Sequence, residues 1–243
     1  MPNDTPRVAN RLIGSMPGRE RPRFVARCDV VELVAGDCLC DADERYDFVY
    51  FPLRGSISLL AAVEGHPALE AGRIGNEGML GATIALGVDE APLRAVVHGP
   101  GSALRIAADA MRDALRDHTA LARSLFAYLY ALVAQLAQSA ACARFHPVEA
   151  RLARWLLMTH DRAHADDFHA THRMLADHLG VRRSAVTIAA GALHDRELIR
   201  YSRGAIRVLA RGGLEQAACG CYDAMQDDYA RRFGPRPSRA VAR

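Results

Sequence analysis

The residues best suited to chemistry lie between positions 171 and 195, in the run THRMLADHLGVRRSAVTIAAGALHD. Thr171 can cap a short helix whose apolar face is Met174, Leu175 and Leu179. Gly180 stands where that helix must end and the chain must turn sharply, and Val181 is a small apolar residue to fill the turn. A second helix then starts near Arg182, buried through Val186, Ala189, Ala190 and Leu193. Its other face begins with Arg182, Arg183, Ser184 and Thr187, the candidate base-reading residues. A helix that offers its first turns in this way suits the major groove, where arginine binds guanine O6 and N7 bidentately. Directly behind come LIRYS and AIRVL, two short strands around Arg203-Gly204. Thr171, Arg200, Arg203 and Arg207 are the candidate phosphate contacts of a helix end and a β-wing.

Other reactive side chains point less clearly to a site. Cys38-x-Cys40 and Cys219-x-Cys221 invite a metal or redox reading, and Cys28 is the other early cysteine. Their spacing is unlike common cluster spacings, so they read as structural thiols and no iron–sulfur cluster is expected. His160, His164, His169 and His172 surround a polar connector. A zinc ion needs three or four convergent ligands, and nothing in these positions fixes convergence, so no metal is assigned. Haem ligation by His66 or His98 finds no support. No P-loop, G-x-S-x-G, H-E-x-x-H or Rossmann fingerprint occurs, and the chain is not read as an enzyme.

These residues need elements to hold them. Residues 24–106 read as strands, with Ile57 and Leu59 alternating with Ser56 and Ser58. Pro52 suggests an edge or a strand end, and glycines at 72, 75, 78 and 81 suggest tight corners in a β-roll or barrel. A short helix over 110–117 precedes a longer one over about 119–144. In the longer one, Leu125, Leu129, Leu132 and Leu136 follow a coiled-coil-like 4-3-4 spacing, the expected dimer seam, and Phe126, Tyr130 and Val133 form a neighbouring stripe. His146-Pro147 breaks the chain before a helix at 147–163. Residues 214–233 read as helix, and the tail GPRPSRAVAR as disordered.

The composition fits a soluble globular protein of one or two domains: 243 residues, 50% hydrophobic and 24% charged. No run approaches 18 uninterrupted apolar residues and no secretory signal opens the chain, so no membrane partner and a cytoplasmic location are expected. All 31 basic residues are arginine. Residues 1–141 carry 14 Arg against 17 acidic residues, and residues 142–243 carry 17 against 11. An acidic first half and a basic second half suggest two modules, the second with a polyanionic partner.

Over residues 24–232 the chain resembles the Crp–Fnr superfamily of transcription regulators. YDFVYFPLRGSISLL and GRIGNEGMLG are similar to that family's cyclic-nucleotide-binding-like β-roll, and HPVEARLARWLL through LIRYSRGAIRVL to its winged helix–turn–helix. The resemblance implies an α+β fold. A leader (1–23) would precede a jelly-roll-like β-roll (24–110), a connecting and dimerisation helix (111–145), a winged helix–turn–helix domain (146–232) and a tail (233–243). It implies a homodimer on double-stranded DNA, and it places Arg183 at the family's main guanine-reading position. Ser184 stands where the cyclic-AMP receptor has a glutamate, and Ile188 where it has a second arginine. The effector pocket departs further. Gly78-Met79-Leu80, followed by Gly81, lacks the carboxylate that would hold a ribose, and Arg94 is out of register for a phosphate. Cyclic AMP or GMP is therefore not expected. An unidentified effector, constitutive binding, and RNA polymerase as a further partner stay open. The rival reading is a sensor or protein-interaction module that does not bind DNA in its native state.

Overall fold

The computed structural model describes residues 10–163, 165–202 and 204–234. The first nine residues, His164, Arg203 and the residues from 235 on fall outside it, so the expectations placed on them lie outside the described residues.

The strand-like first half folds as an antiparallel sheet behind two short helices. These are α1 (Arg11–Gly14), capped by the Asn10 side chain, and α2 (Arg21–Val25). The strands are β1 (Asp29–Leu33), β2 (Cys38–Cys40), β3 (Phe48–Ala61), β4 (Leu69–Ile74) and β5 (Arg94–Ala107), in the order β1-β5-β3-β4 with β2 also on β5. The pairing of β3 with β5 shifts register three times between Pro52 and Ile57, which bends these 14-residue strands. Val49, Phe51, Ile57, Leu104 and Ile106 fill the interior, and Leu12, Ile13 and Phe24 close one end. Pro52 lies inside β3 rather than at its end. β4 runs alongside only from Ile57, so Pro52 sits on a locally open edge that needs no ladder donor.

Of the four evenly spaced glycines, only Gly81 has positive φ (+87°). Gly78 serves close approach instead, because a Cβ there would overlap the Tyr128 ring. The ring belongs to α4 (Thr119–Phe145), which follows α3 (Ala108–Asp117). α4 lays Leu121, Leu125 and Tyr128 on the roll.

A second core gathers α5 (Val148–Ala163), α6 (His172–Leu179), α7 (Arg183–Asp195), β6 (Asp167–His169), β7 (Ile199–Ser202), β8 (Ala205–Val208) and α8 (Arg211–Ala217). Leu152, Trp155 and Leu156 of α5 meet Leu175, Val186, Leu193 and Ile206 there. The three strands pair antiparallel as β6-β8-β7. The helix expected over 214–233 is two helices: an extended Ala218 separates α8 from α9 (Cys221–Phe233). Leu214 of α8 belongs to the second core, whereas Tyr229 and Phe233 of α9 return to the roll.

The two cores meet across buried charged groups. Arg73 and Glu70 of β4 lie 2.8 Å apart with side chains 1% and 8% exposed, and the Arg73 guanidinium sits over the Trp155 ring. Arg162 of α5 holds Glu77 at 2.5 Å. On the adjoining face, Glu70 approaches His178 of α6 at 3.0 Å, and His98 of β5 packs edge-on against both Trp155 and His178.

Candidate nucleic-acid interface

The helix–turn–helix is built by local rules. The Thr171 hydroxyl accepts from the Met174 N–H and opens α6. Gly180, at φ +62°, ends it. A side chain there would be strained by the left-handed backbone and would lie 2.9 Å from Leu69. Arg182 is the N-cap of α7 and its side chain makes no capping hydrogen bond; the Ala185 N–H bonds to the Arg182 carbonyl instead. Val186, Ala189, Ala190 and Leu193 are buried, while Arg182, Arg183, Ser184 and Thr187 are exposed. The structure thus leaves all four candidate base-reading residues exposed at the start of α7.

Ile188 extends that face and is 74% exposed, an isolated apolar side chain of the kind that meets a thymine methyl. His172 braces the same surface, with Nδ1 3.0 Å from the Thr187 hydroxyl and its ring stacked on Tyr201. Burial, then the Arg183 charge, holds the His172 imidazole below its ordinary pKa.

Arg200 and Arg207 are cross-strand partners on β7 and β8, both exposed. Arg207 already makes a bidentate pair with Asp167 of β6, at 2.7 and 2.8 Å. Asp167 escaped the sequence reading because the β6–β8 pairing spans 40 residues.

Of the residues proposed for the effector pocket, Met79, Leu80 and Gly81 line one small cavity, and Arg94 lies apart from it. Met79 and Leu80 are 1% and 2% exposed and belong to the roll interior. Arg94 is on the surface, paired with Asp41 at 3.1 Å. The cavity beside Met79, Leu80 and Gly81 is about 30 Å³, lined by Leu59, Pro92, Leu129 and other mostly apolar side chains. That is about the space of one water molecule. A larger cavity of about 260 Å³ opens between the roll, α4, α5 and α9, lined by Arg73, Glu77, Tyr128, Gln135, Arg162 and Tyr229.

The leucines expected at a dimer seam are used mainly within the chain. Leu125 is fully buried in the roll core, and Leu129 and Leu132 pack on that core, half-buried. A Cβ on Gly72 of β4 would lie 3.0 Å from Leu136. The neighbouring stripe is the more exposed one: Phe126, Tyr130 and Val133 are 48%, 58% and 64% exposed, with the Arg232 guanidinium of α9 over the Tyr130 ring. α4 is also long and apolar enough to cross a membrane by length and composition, which the criterion of an uninterrupted apolar run missed.

The cysteines divide. Cys38 is exposed and Cys40 buried on β2, whereas Cys219 and Cys221 meet Cys142 and His146, two residues the sequence reading did not join to them. Their ligand atoms all lie within 4.8 Å of one another, so the four could hold a metal ion.

The β-sheet domain is thus joined by the long α4 to a winged helix–turn–helix. Residues 150–217 match the model of the Crp-like helix-turn-helix domain. The fold of the chain is shared by FixK2 from Bradyrhizobium japonicum (TM-score 0.65, 16% identity), over 79% of this chain and 98% of that one. It is shared by the c-di-GMP responsive regulator CLP from Xanthomonas campestris (0.64, 14%), over 79% and 99%. A Crp/Fnr-family transcriptional regulator from Eubacterium rectale (0.62, 14%) matches over 85% and 96%. A search of curated proteins found no match. The chain therefore carries a Crp-like helix–turn–helix domain behind a β-roll, in the fold of the Crp/Fnr transcription regulators.

Proposed function

We propose that the protein is a cytoplasmic, homodimeric, sequence-specific DNA-binding transcription regulator. The observation that carries the reading is the outward face of α7, where Arg182, Arg183, Ser184 and Thr187 stand together at an uncapped helix start. The arginines, at the positive end of the helix dipole, suit base edges and phosphate at once. Thr171, Arg200, Arg203 and Arg207 supply the flanking backbone contacts. The Phe126, Tyr130 and Val133 stripe supports a second copy against α4, because a row of exposed large apolar groups on one helix needs cover. Two recognition helices then enter successive major grooves about 34 Å apart.

The apolar, water-sized cavity in the roll argues against a cyclic nucleotide there. The larger cavity is the better seat for a small effector, because it touches both cores, and occupancy there would bias how they sit relative to each other. RNA polymerase is the natural further partner of a DNA-bound activator. DNA location makes the cytoplasm the place of action.

Selection from a random DNA pool with purified protein and no added ligand tests the reading. A two-fold symmetric motif is expected. No enrichment by folded protein, with or without extract of small metabolites, would overturn it in favour of a module that does not bind DNA.

A further inference from the structure

Three thiols and an imidazole from distant parts of the chain converge where the two modules join. Cys142 lies in the last turn of α4, and His146 is its C-cap, immediately before Pro147 and α5. Cys219 lies between α8 and α9, and Cys221 is the first residue of α9. The Cys142 and Cys219 sulfurs are 3.4 Å apart, and the Cys221 sulfur is 3.5 Å from His146 Nδ1. A tetrahedral zinc ion, with Zn–S about 2.3 Å and Zn–N about 2.0 Å, sets S···S near 3.8 Å and S···N near 3.5 Å. These two separations are therefore close to loaded dimensions, and all four ligand atoms lie within 4.8 Å of one another.

Its surroundings fit as well. All three cysteines are buried, and His146 is half-buried. Gln138 Nε2 lies 2.9 Å from the Cys221 sulfur, placed to donate to a ligating thiolate. The charge of Arg154 acts on both Cys142 and Cys219, and Arg154 Nε is buried with no hydrogen-bond partner. Zinc with three thiolates and a neutral imidazole carries one net negative charge, which this buried cation offsets.

We propose that Cys142, His146, Cys219 and Cys221 form a closed structural zinc site that ties the α4–α5 junction to the start of α9. Binding displaces three thiol protons to solvent and leaves no open coordination position, so the site is structural rather than catalytic. Because α9 packs on α4 and reaches the roll through Tyr229 and Phe233, the ion fixes the DNA-binding module against the helix that bears the exposed apolar stripe.

The full-length protein, purified reduced and without chelator, should contain one zinc per chain by elemental analysis. Cobalt(II) in its place should give thiolate charge-transfer and tetrahedral ligand-field bands. Cys142→Ser and Cys219→Ser should each lower retained zinc at least tenfold, while Cys38→Ser should leave it unchanged. Gln138→Ala should weaken zinc affinity about 10–100-fold. Should the cysteine variants not fold, chelation of the wild-type protein serves instead: its melting temperature should fall and recover on adding zinc. The proposal is overturned by less than a tenth of a zinc per chain together with no cobalt spectrum. It is equally overturned by full zinc retention in the Cys142→Ser/Cys219→Ser double variant, or by a Cys142–Cys219 disulfide in protein isolated under reducing, anaerobic conditions.

Discussion

Arg183 stands at the first turn of α7 with its guanidinium exposed and its neighbours fixed by packing behind it. Arg183→Ala should cost about 1–3 kcal/mol on the selected operator and relax preference at one base pair, read by competition with single-base variants. Equal loss on every sequence would make it a phosphate contact. The helix–turn–helix that carries the candidate base-reading residues was legible because it is a local code: a cap, a glycine and a short run of buried positions set its two helices within 25 residues. The metal-ligand cluster was not legible, since Cys142 and Cys219 lie 77 residues apart and only the return of α9 onto α4 joins them. The spacing Cys219-x-Cys221 was the one visible half of that signal.

At the scale of elements, periodicity showed which face of α4 is apolar without showing what covers it. The leucine row fits a partner helix and a sheet equally well, and the chain's own roll takes Leu125. The more exposed row becomes the dimer candidate. Phe126→Glu with Val133→Glu should convert dimer to monomer in analytical ultracentrifugation and leave the fold intact, because both side chains are exposed, whereas Tyr130 also carries the Arg232 guanidinium. An unchanged dimer would place the interface elsewhere. Gly180→Ala tests the turn between α6 and α7. The left-handed backbone there costs an L side chain about 1–2 kcal/mol, and Leu69 must also move, so urea unfolding should show at least that loss. The strands, the long helix and the wing were readable from alternation, spacing and turn residues. The α8–α9 break was missed because Cys219-Gly220-Cys221 offers only one weak breaker within a helical pattern.

For the whole molecule, the seam between the cores is a titratable surface. Burial, then Arg73, lowers the His98 pKa to about 3 from its ordinary 6.5, against the opposing pull of Glu70, and His178 adds to the lowering. Burial alone would raise the Glu70 carboxyl, but Arg73 and His178 outweigh it and hold it well below the usual range. Between about 6.5 and 3 the unfolded chain takes up a proton at His98 that the folded chain refuses. Stability is therefore full above that window and falls as pH drops through it, by at most about 1.4 kcal/mol per pH unit from this group. Loss of the Glu70 contribution at lower pH acts in the same direction. Urea midpoints across the window should show the decline, and His98→Gln should flatten it. An unchanged slope would mean the seam opens before His98 matters.

The Arg207–Asp167 pair means that this arginine brings its own counterion to the DNA. A phosphate that takes the guanidinium must compete with a tethered carboxylate, so the pair presents less net positive charge than a bare arginine. It then neutralises less phosphate charge and releases fewer of the DNA's condensed cations. Counting wing arginines would then overstate how steeply binding weakens with salt. Asp167→Asn should tighten binding at low salt and steepen that dependence together, separating an arginine held in reserve from one already facing the backbone.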